Sequence, residues 1–576
     1  MSKTVELYEK IKKEKEKYKP LWKEISKYCG VQVDPSDNYQ TGSALDIYAL
    51  DPTASLSVTQ SSEYIKGVLI GTGTNLFSIL PSDEILRSVD KSTLDKWYEY
   101  ATIKALEEIN HPESGFHSAL SGYMYDECAF GTAGIGCFKN SSLEDNKLIF
   151  RNYGIDTLLI DVGKNGTVET IMNEYKWRTN EFVEEFCLVD GVIDPLIYKT
   201  LPQEVKTRYE NGDVNEEFKV VFAITRNNIY DSSTTDGKKS FKYKGEWFMT
   251  DTKEIFLTEY FKHKPVSVGR PVVIRGEIYG RAYGTMLISS IRCIDEMING
   301  AMVTLDKLRE PALGSFGGLT GDNVIDTSAG SLNVFDAETL QGQQPIFPLQ
   351  DVGDPTGIIQ LLLPYLQEKV ATAFKIDSLL DFASNKDMTA TESLQRASIR
   401  NKSLVGLVIN QVNEVLLPLC DRAVNLLMSA NALGATEEEE IAALMGIGRG
   451  EVVIPSIVNE FINSGKKWYK IKFNTEIEKI GNTEKIDNLL QMLNFATSIM
   501  SVYPQLSSGI DWYKMWLDVS EAYNGTSYSM DAKKFKKQIE EQAQAQSQAM
   551  ALEAANMQSQ TTKNNASAMR DLGNGN

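Results

Sequence analysis

The chain has 576 residues, with 59 Lys and Arg against 78 Asp and Glu for a net charge of −19, and it is 42% hydrophobic and 24% charged. That is a globular composition on a chain long enough for several domains, since one hydrophobic core stops growing near ~250–300 residues. A peptide hormone or a single small module is excluded, and the acidic balance argues against tight wrapping of DNA, whose phosphates are held chiefly by Lys and Arg.

In chain order, the first 27 or so residues read as one helix with Leu7, Ile11, Tyr18, Trp22 and Ile25 as core contacts and nine lysines against five glutamates, a solvated amphipathic face in preference to a nucleic-acid arm. The start MSKTVELYEKIKKEKEKYK has no apolar stretch of the secretory kind, so no signal segment is expected. Asp51-Pro52 caps a second helix running through Tyr64 to Leu69 and ending near Gly71 and Gly73. Further helices span Leu94 to Ile109, stopped by Pro112, and Phe116 to Tyr125. From Lys147 to Arg275 the pattern turns to short β-rich runs, LIFRNY, TLLIDV, TVETIMNEYKW, KVVFAIT, EWFMT, EIFLTEYF and PVVIRGEIY. Asn165-Gly166 signals a hairpin, and a helical insert from Asn180 to Tyr209 separates two groups of strands.

A long helix is predicted from Met286 to Glu310, about 37 Å at ~1.5 Å per residue, stopped by Pro311. A glycine-rich stretch with strand-like pieces follows, and Asp354-Pro355 opens a second long helix to Ile376. After a loop at Asp377 to Met388 comes a third helix, Thr389 to Leu433, kinked at Pro418 and ended by Gly434. The acidic run Glu437 to Glu440 reads as a solvated helix start. Val452 to Phe473 holds a helix and a strand, two helices cover Lys485 to Tyr503 and Trp512 to Tyr523, and a Gln/Ala/Met-rich helix frays into a polar end. The fold class is α+β, predominantly helical.

Enzyme signatures do not accumulate. Cys29, Cys128, Cys137, Cys187, Cys293 and Cys420 stand singly and read as buried thiols, and His111, His117 and His263 lack the partners of a zinc set. The nearest approach to a nucleotide-binding loop, Gly237-Lys238-Lys239-Ser240, has Ser232 where the first glycine belongs, and no G-x-S-x-G occurs. FGTAGIGCF, with Gly131, Gly134 and Gly136, reads as a turn entering a strand in preference to a phosphate cradle. The stretch Ser403 to Cys420 is interrupted by Asn410, Gln411, Asn413 and Glu414 and is too polar to span a membrane, so a soluble, cytosolic-type chain is expected. No catalytic residue, metal or cofactor is assigned.

Several segments nevertheless stand in a telling order: LYEKIKKEKEKYKPLWKEISKYC, DPTASLSVTQSSEYIKGVL, SGFHSALSGYMYDECAFGTAGIGCF, EIYGRAYGTMLISSIRCIDEMINGAMVTLDKLREPAL, DMTATESLQRASIRNKSLVGLVINQVNEVLLPLCDRAV and TEIEKIGNTEKIDNLLQMLNFATSIMSVYPQLSSGIDWYKMWLDVSEAYNG. In order and spacing, over nearly the whole chain, they resemble portal proteins, the head-to-tail connectors of short-tailed bacteriophages. The resemblance implies a portal fold: a wing at 1–285 and 389–475, stem helices at 286–311 and 354–376, a clip at 312–353, a tunnel loop at 377–388, and a crown with its low-complexity tail at 476–576. It implies a ring of twelve subunits at one capsid vertex of the virion, assembled in the host cytoplasm. Double-stranded DNA would pass through it during packaging and ejection, with terminase, tail adaptor, major capsid and scaffolding proteins as partners and no membrane.

On that reading Lys386, Asn385 and Asp387 in the tunnel loop, and Lys307 and Arg309 near the end of the first stem helix, are candidates to face the DNA channel. Phe316, Leu319, Phe335 and Phe347 are candidates to dock a partner from the clip, with burial within the clip or between clips as the alternative. A translocation channel should hold its passenger weakly, so net acidity fits, and the missing nucleotide-binding loop fits a passage served by a separate ATPase. Another structural head-tail protein, an adaptor or scaffold, is the rival reading, and a nuclease using Asp377, Asp381 and Asp387 a remote one.

Overall fold

A computed structural model describes residues 2–29, 50–70, 76–89, 91–140, 146–189, 192–213, 215–231, 237–309, 313–315, 346–348, 356–374, 409–434 and 453–473, with 541, 548, 555 and 557–564 near the C-terminus. Two compact units divide the chain: residues 1–87 with 97–475, and residues 88–96 with 476–576. In the second unit the described C-terminal positions are helical.

The N-terminal helix is two helices, α1 (Lys3–Glu16) and α2 (Lys19–Cys29). Pro20 has no N–H to return to Glu16, so the ladder cannot run through, and the chain turns at Lys17 and Tyr18. α3 (Thr53–Ile70) begins as expected: the Asp51 carboxylate accepts from the Thr53 backbone N–H at 3.0 Å. A strand that the sequence reading omitted, β1 (Phe77–Pro81), is followed by α4 (Asp83–Leu86), α5 (Lys91–Asn110) and α6 (Phe116–Phe130).

Two sheets carry the β-rich region. β2 (Ala133–Lys139) pairs with β3 (Leu148–Tyr153) and with β11 (Val266–Gly269), all antiparallel. The larger sheet joins β4 (Leu158–Val162), β5 (Val168–Arg178), β8 (Glu217–Arg226), β9 (Tyr243–Met249) and β10 (Ile255–Phe261), ordered β10-β9-β8-β5-β4 and antiparallel throughout. Gly166, at φ 77°, makes the β4–β5 hairpin turn. Val5, Tyr8 and Ile11 of α1 close over this sheet against Leu159, Met172, Val221 and Phe248. Each such apolar side chain removed from water contributes roughly 1.5–3 kcal/mol.

Between β5 and β8 the insert is α7 (Thr179–Cys187), a two-residue hairpin β6 (Leu188–Val189) and β7 (Val192–Ile193), α8 (Pro195–Tyr198) and α9 (Gln203–Asn211). It is helical, as read, but broken by a hairpin. PVVIRGEIY forms no strand; Val272 makes one isolated bridge to Arg281, and Val273 and Ile274 are exposed. Toward the C-terminal part of the first unit, a π turn (Val412–Leu416) leads into α12 (Leu417–Ser429), so the disturbance expected at Pro418 appears on its N-terminal side. Asn431, at φ 53°, ends that helix before Gly434. α13 (Ser456–Asn463) and β14 (Tyr469–Phe473) follow, and β14 pairs antiparallel with β1 in the register Phe77 to Phe473.

Candidate functional site

The most unusual feature for a single chain is a pair of long helices, α10 (Tyr283–Arg309) and α11 (Thr356–Ala373), whose buried contacts among the described residues gather at one end. The 27 residues of α10 extend about 40 Å at ~1.5 Å per residue. Its N-terminal half is held: Gly284, Thr285, Ile291 and Ile294 are buried, and α11 answers with Val370 and Phe374 near its C-terminus. The chain enters α10 against the end of α6, where Gly131 sits at φ 83° and a Cβ would run into the backbone of Arg281 and Ala282. A Cβ on Gly280 would in turn meet the carbonyl of Gly131. The glycines of FGTAGIGCF therefore serve a helix cap, a close chain crossing and strand β2, as the turn-and-strand reading held.

Polar contacts lock the same anchor. The Asp51 carboxylate that caps α3 also accepts from the Gln367 amide at 3.1 Å, the Leu50 N–H donates to Asp295 at 2.5 Å, and Arg292 pairs with Glu24.

Beyond Ile294 no described residue of α10 is buried, and the same holds for α11 before Val370. Leu305 is 64% exposed, Leu361 73% and Tyr365 54%. Among the described residues, both helices thus leave apolar side chains open in the monomer over most of their length. The sequence reading located the helices but named no residue of this face. The available signal was that apolar side chains on both helices exceed one i, i+3, i+4 stripe.

Lys307 and Arg309 lie at the far tip of α10, both exposed, with Asp306 3.8 Å from Arg309. Just past the tip, β12 (Leu313–Ser315) pairs antiparallel with β13 (Ile346–Pro348), which sets Phe347 opposite Gly314. Phe316, Leu319 and Phe335 lie outside the described residues, as do Asn385, Lys386 and Asp387, and the acids Asp377 and Asp381. Lys307, Arg309 and the backbone of Phe347 are thus grouped at one end of the helix pair.

Five of the six cysteines are buried, whereas Cys293 is exposed on α10, unlike the uniformly buried thiols expected. Among the described residues no group of three or more His, Cys, Asp or Glu side chains is placed to hold a metal ion, and no helix is long and apolar enough to cross a membrane.

No curated protein matches the chain. A family model, described as bacteriophage head to tail connecting protein, matches residues 2–528. That span takes in both sheets, the projecting helices and the excursion between them. The chain belongs to the bacteriophage head to tail connecting proteins.

Proposed function

We propose that this connector is a portal: a closed ring, twelve subunits in the family's manner, at one capsid vertex, through which double-stranded DNA is packaged and later ejected. The observation that carries the reading is the helix pair α10 and α11, anchored at one end and exposing apolar side chains along the rest. Repetition around an axis covers such faces with the neighbouring copy and lines a channel with helices. Residues 1–285 and 389–475 then form the wing, 286–311 and 354–376 the stem, 312–353 the clip, 377–388 the tunnel loop and 476–576 the crown. The clip docks terminase during packaging and the tail adaptor afterwards, while major capsid and scaffolding proteins surround the wing. Assembly takes place in the host cytoplasm. Native mass spectrometry with negative-stain imaging tests this: closed rings of about 0.8 MDa are expected from twelve subunits of 64.3 kDa. A chain that stays monomeric at every concentration and salt would refute it.

A further inference from the structure

The five-stranded sheet is electrically polarised along its strands. Because β8, β9 and β10 are antiparallel neighbours, the end of β8 at Arg226, the start of β9 at Tyr243 and the end of β10 at Phe261 lie together. Lys238 and Lys239 precede that edge, Lys242 opens it, and Lys262 and Lys264 follow it. Two clefts share Lys242, Lys262 and His263, one of about 340 Å³ extending to Lys466 and Lys467, the other of about 460 Å³ extending to Lys264.

The acids at this end are largely taken. Lys244 binds Glu246 at 2.5 Å, Lys467 stands 3.8 Å from Asp421, and Arg270 stands 3.5 Å from Glu414; Asp231 lines the smaller cleft, and Glu169 near the start of β5 lies close enough to act on Lys264 and Tyr243. Among the described residues no carboxylate pairs with Lys239, Lys242 or Lys262, all three exposed. Burial and the nearby Lys242 ammonium hold Lys264 below the ordinary lysine range, although the Glu169 and Glu414 carboxylates oppose them in part.

The opposite end has the reverse sign. Glu217 starts β8, Asp213 precedes it, and Asp251 and Glu254 sit in the β9–β10 turn, all exposed. Of the cations there, Arg208 is engaged by Glu204 and Glu216, and Lys253 by Glu9, leaving Lys176, Arg178 and Lys219 against the four exposed acids. The two ends are about 30 Å apart at ~3.4 Å per residue and point in opposite directions. Each also exposes apolar surface: Ile229 (52%) and Tyr230 (39%) at the basic end, and Leu196 (73%) on the insert rooted at the acidic end.

We propose that the basic end of this sheet receives the acidic end of a second copy of the same chain, giving the head-to-tail contact that closes the ring. Opposite, non-identical patches on the two sides of one subunit are what a heterologous interface requires. On subunits that each carry −19, a local match of sign also selects one approach over the others. The inference rests on the ring proposed above and adds which surfaces meet.

The full chain tests it with three proteins: wild type, a basic-end variant (Lys239→Glu, Lys242→Glu, Lys262→Glu) and an acidic-end variant (Asp213→Lys, Glu217→Lys, Glu254→Lys). Each variant alone should need about tenfold more protein than wild type to form rings at low salt, with the gap shrinking at high salt. A one-to-one mixture should recover wild-type assembly, because alternating copies restore opposite charges at every contact. Neutral Lys→Gln changes at the basic end, safer for folding, should weaken assembly by a smaller factor. Variants that assemble like wild type, or a mixture that fails to recover, overturn this interface while leaving the ring reading intact. A wild type that forms no ring overturns both. Unchanged rings with lost binding of a 30-base-pair DNA duplex by the basic-end variant would assign the clefts to nucleic acid and overturn the proposal.

Discussion

The Tyr123 hydroxyl donates to the side-chain oxygen of Gln411 at 2.6 Å, joining α6 to the start of the π turn across 288 positions of sequence. The Gln411 amide donates onward to the Glu127 carboxyl, so one buried side chain bridges the two acidic or phenolic groups of α6 to the helix that returns over them. A Cβ on Gly269 would collide with the Tyr123 hydroxyl, which leaves β11 no room for any other residue at that point.

This network predicts a pH dependence. Burial, with the Glu414 carboxylate nearby, raises Glu127 to about 8, and burial together with Asp156 raises Asp126 to about 7. Unfolded, the two carry ordinary values of 4.5 and 3.8, so between those values and neutrality the folded chain binds more protons than the unfolded one. Stability from these groups is therefore greatest below about pH 4 and falls as pH rises toward 8. Urea unfolding at fixed protein concentration should show higher stability at pH 5.5 than at pH 8, and Glu127→Gln should flatten the difference. A steeper dependence in Glu127→Gln would contradict the assignment.

A second prediction separates backbone strain from a chain crossing. Gly166 and Gly131 both have positive φ, but a Cβ on Gly166 meets open space whereas one on Gly131 meets the backbone entering α10. Gly166→Ala should cost about 1 kcal/mol, the ordinary penalty for a left-handed alanine. Gly131→Ala should cost several-fold more and loosen the root of the helix pair. Equal melting temperatures for the two variants would remove Gly131 from that role.

These elements also show how far the sequence could be read. Residues with a local mechanism were legible: Asp51-Pro52 before α3, Asn165-Gly166 between β4 and β5, and the break at Pro112. The pairing of β1 with β14 was not, because FSILP is five residues long, contains a proline and finds its partner nearly four hundred positions away. Pro20 carried a signal for the α1–α2 break that a longer apolar periodicity masked. The open face of α10 and α11 is visible only once burial shows which apolar residues the chain itself leaves uncovered. Asn385, Lys386 and Asp387 rest on the family resemblance alone.

The helix pair gives a third prediction. Leu305 and Leu361 are among the most exposed apolar side chains of the described residues. Changing both to Asp should leave the stability of the dissociated chain within about 1 kcal/mol of wild type, since surface substitutions generally alter it by ~0.5 kcal/mol each. Ring formation should fail, because four carboxylates would be buried at every two contacts without partners. Rings of normal size and stability would show that this face meets solvent or DNA and not the neighbouring stem.

The last prediction concerns the proposed tunnel loop. Asp377, Asp381, Asp387 and Lys386 fall within the twelve residues that the family resemblance assigns to the tunnel loop, and one cation among three acids is where a passing phosphate would be touched and released. Lys386→Glu changes each copy by two charges, so twelve copies shift the ring by about −24. Assembly should be unaffected, since an exposed loop position rarely alters stability by more than ~0.5 kcal/mol. Packaging or retention of DNA should suffer instead, and rising salt should narrow the difference because the loop charges are screened within about a Debye length. The same exchange at Lys307, exposed at the tip of α10, should act on DNA handling in the same direction if the tip also faces the channel. Loss of rings with DNA handling intact in those that remain would place Lys386 between subunits and remove it from the channel.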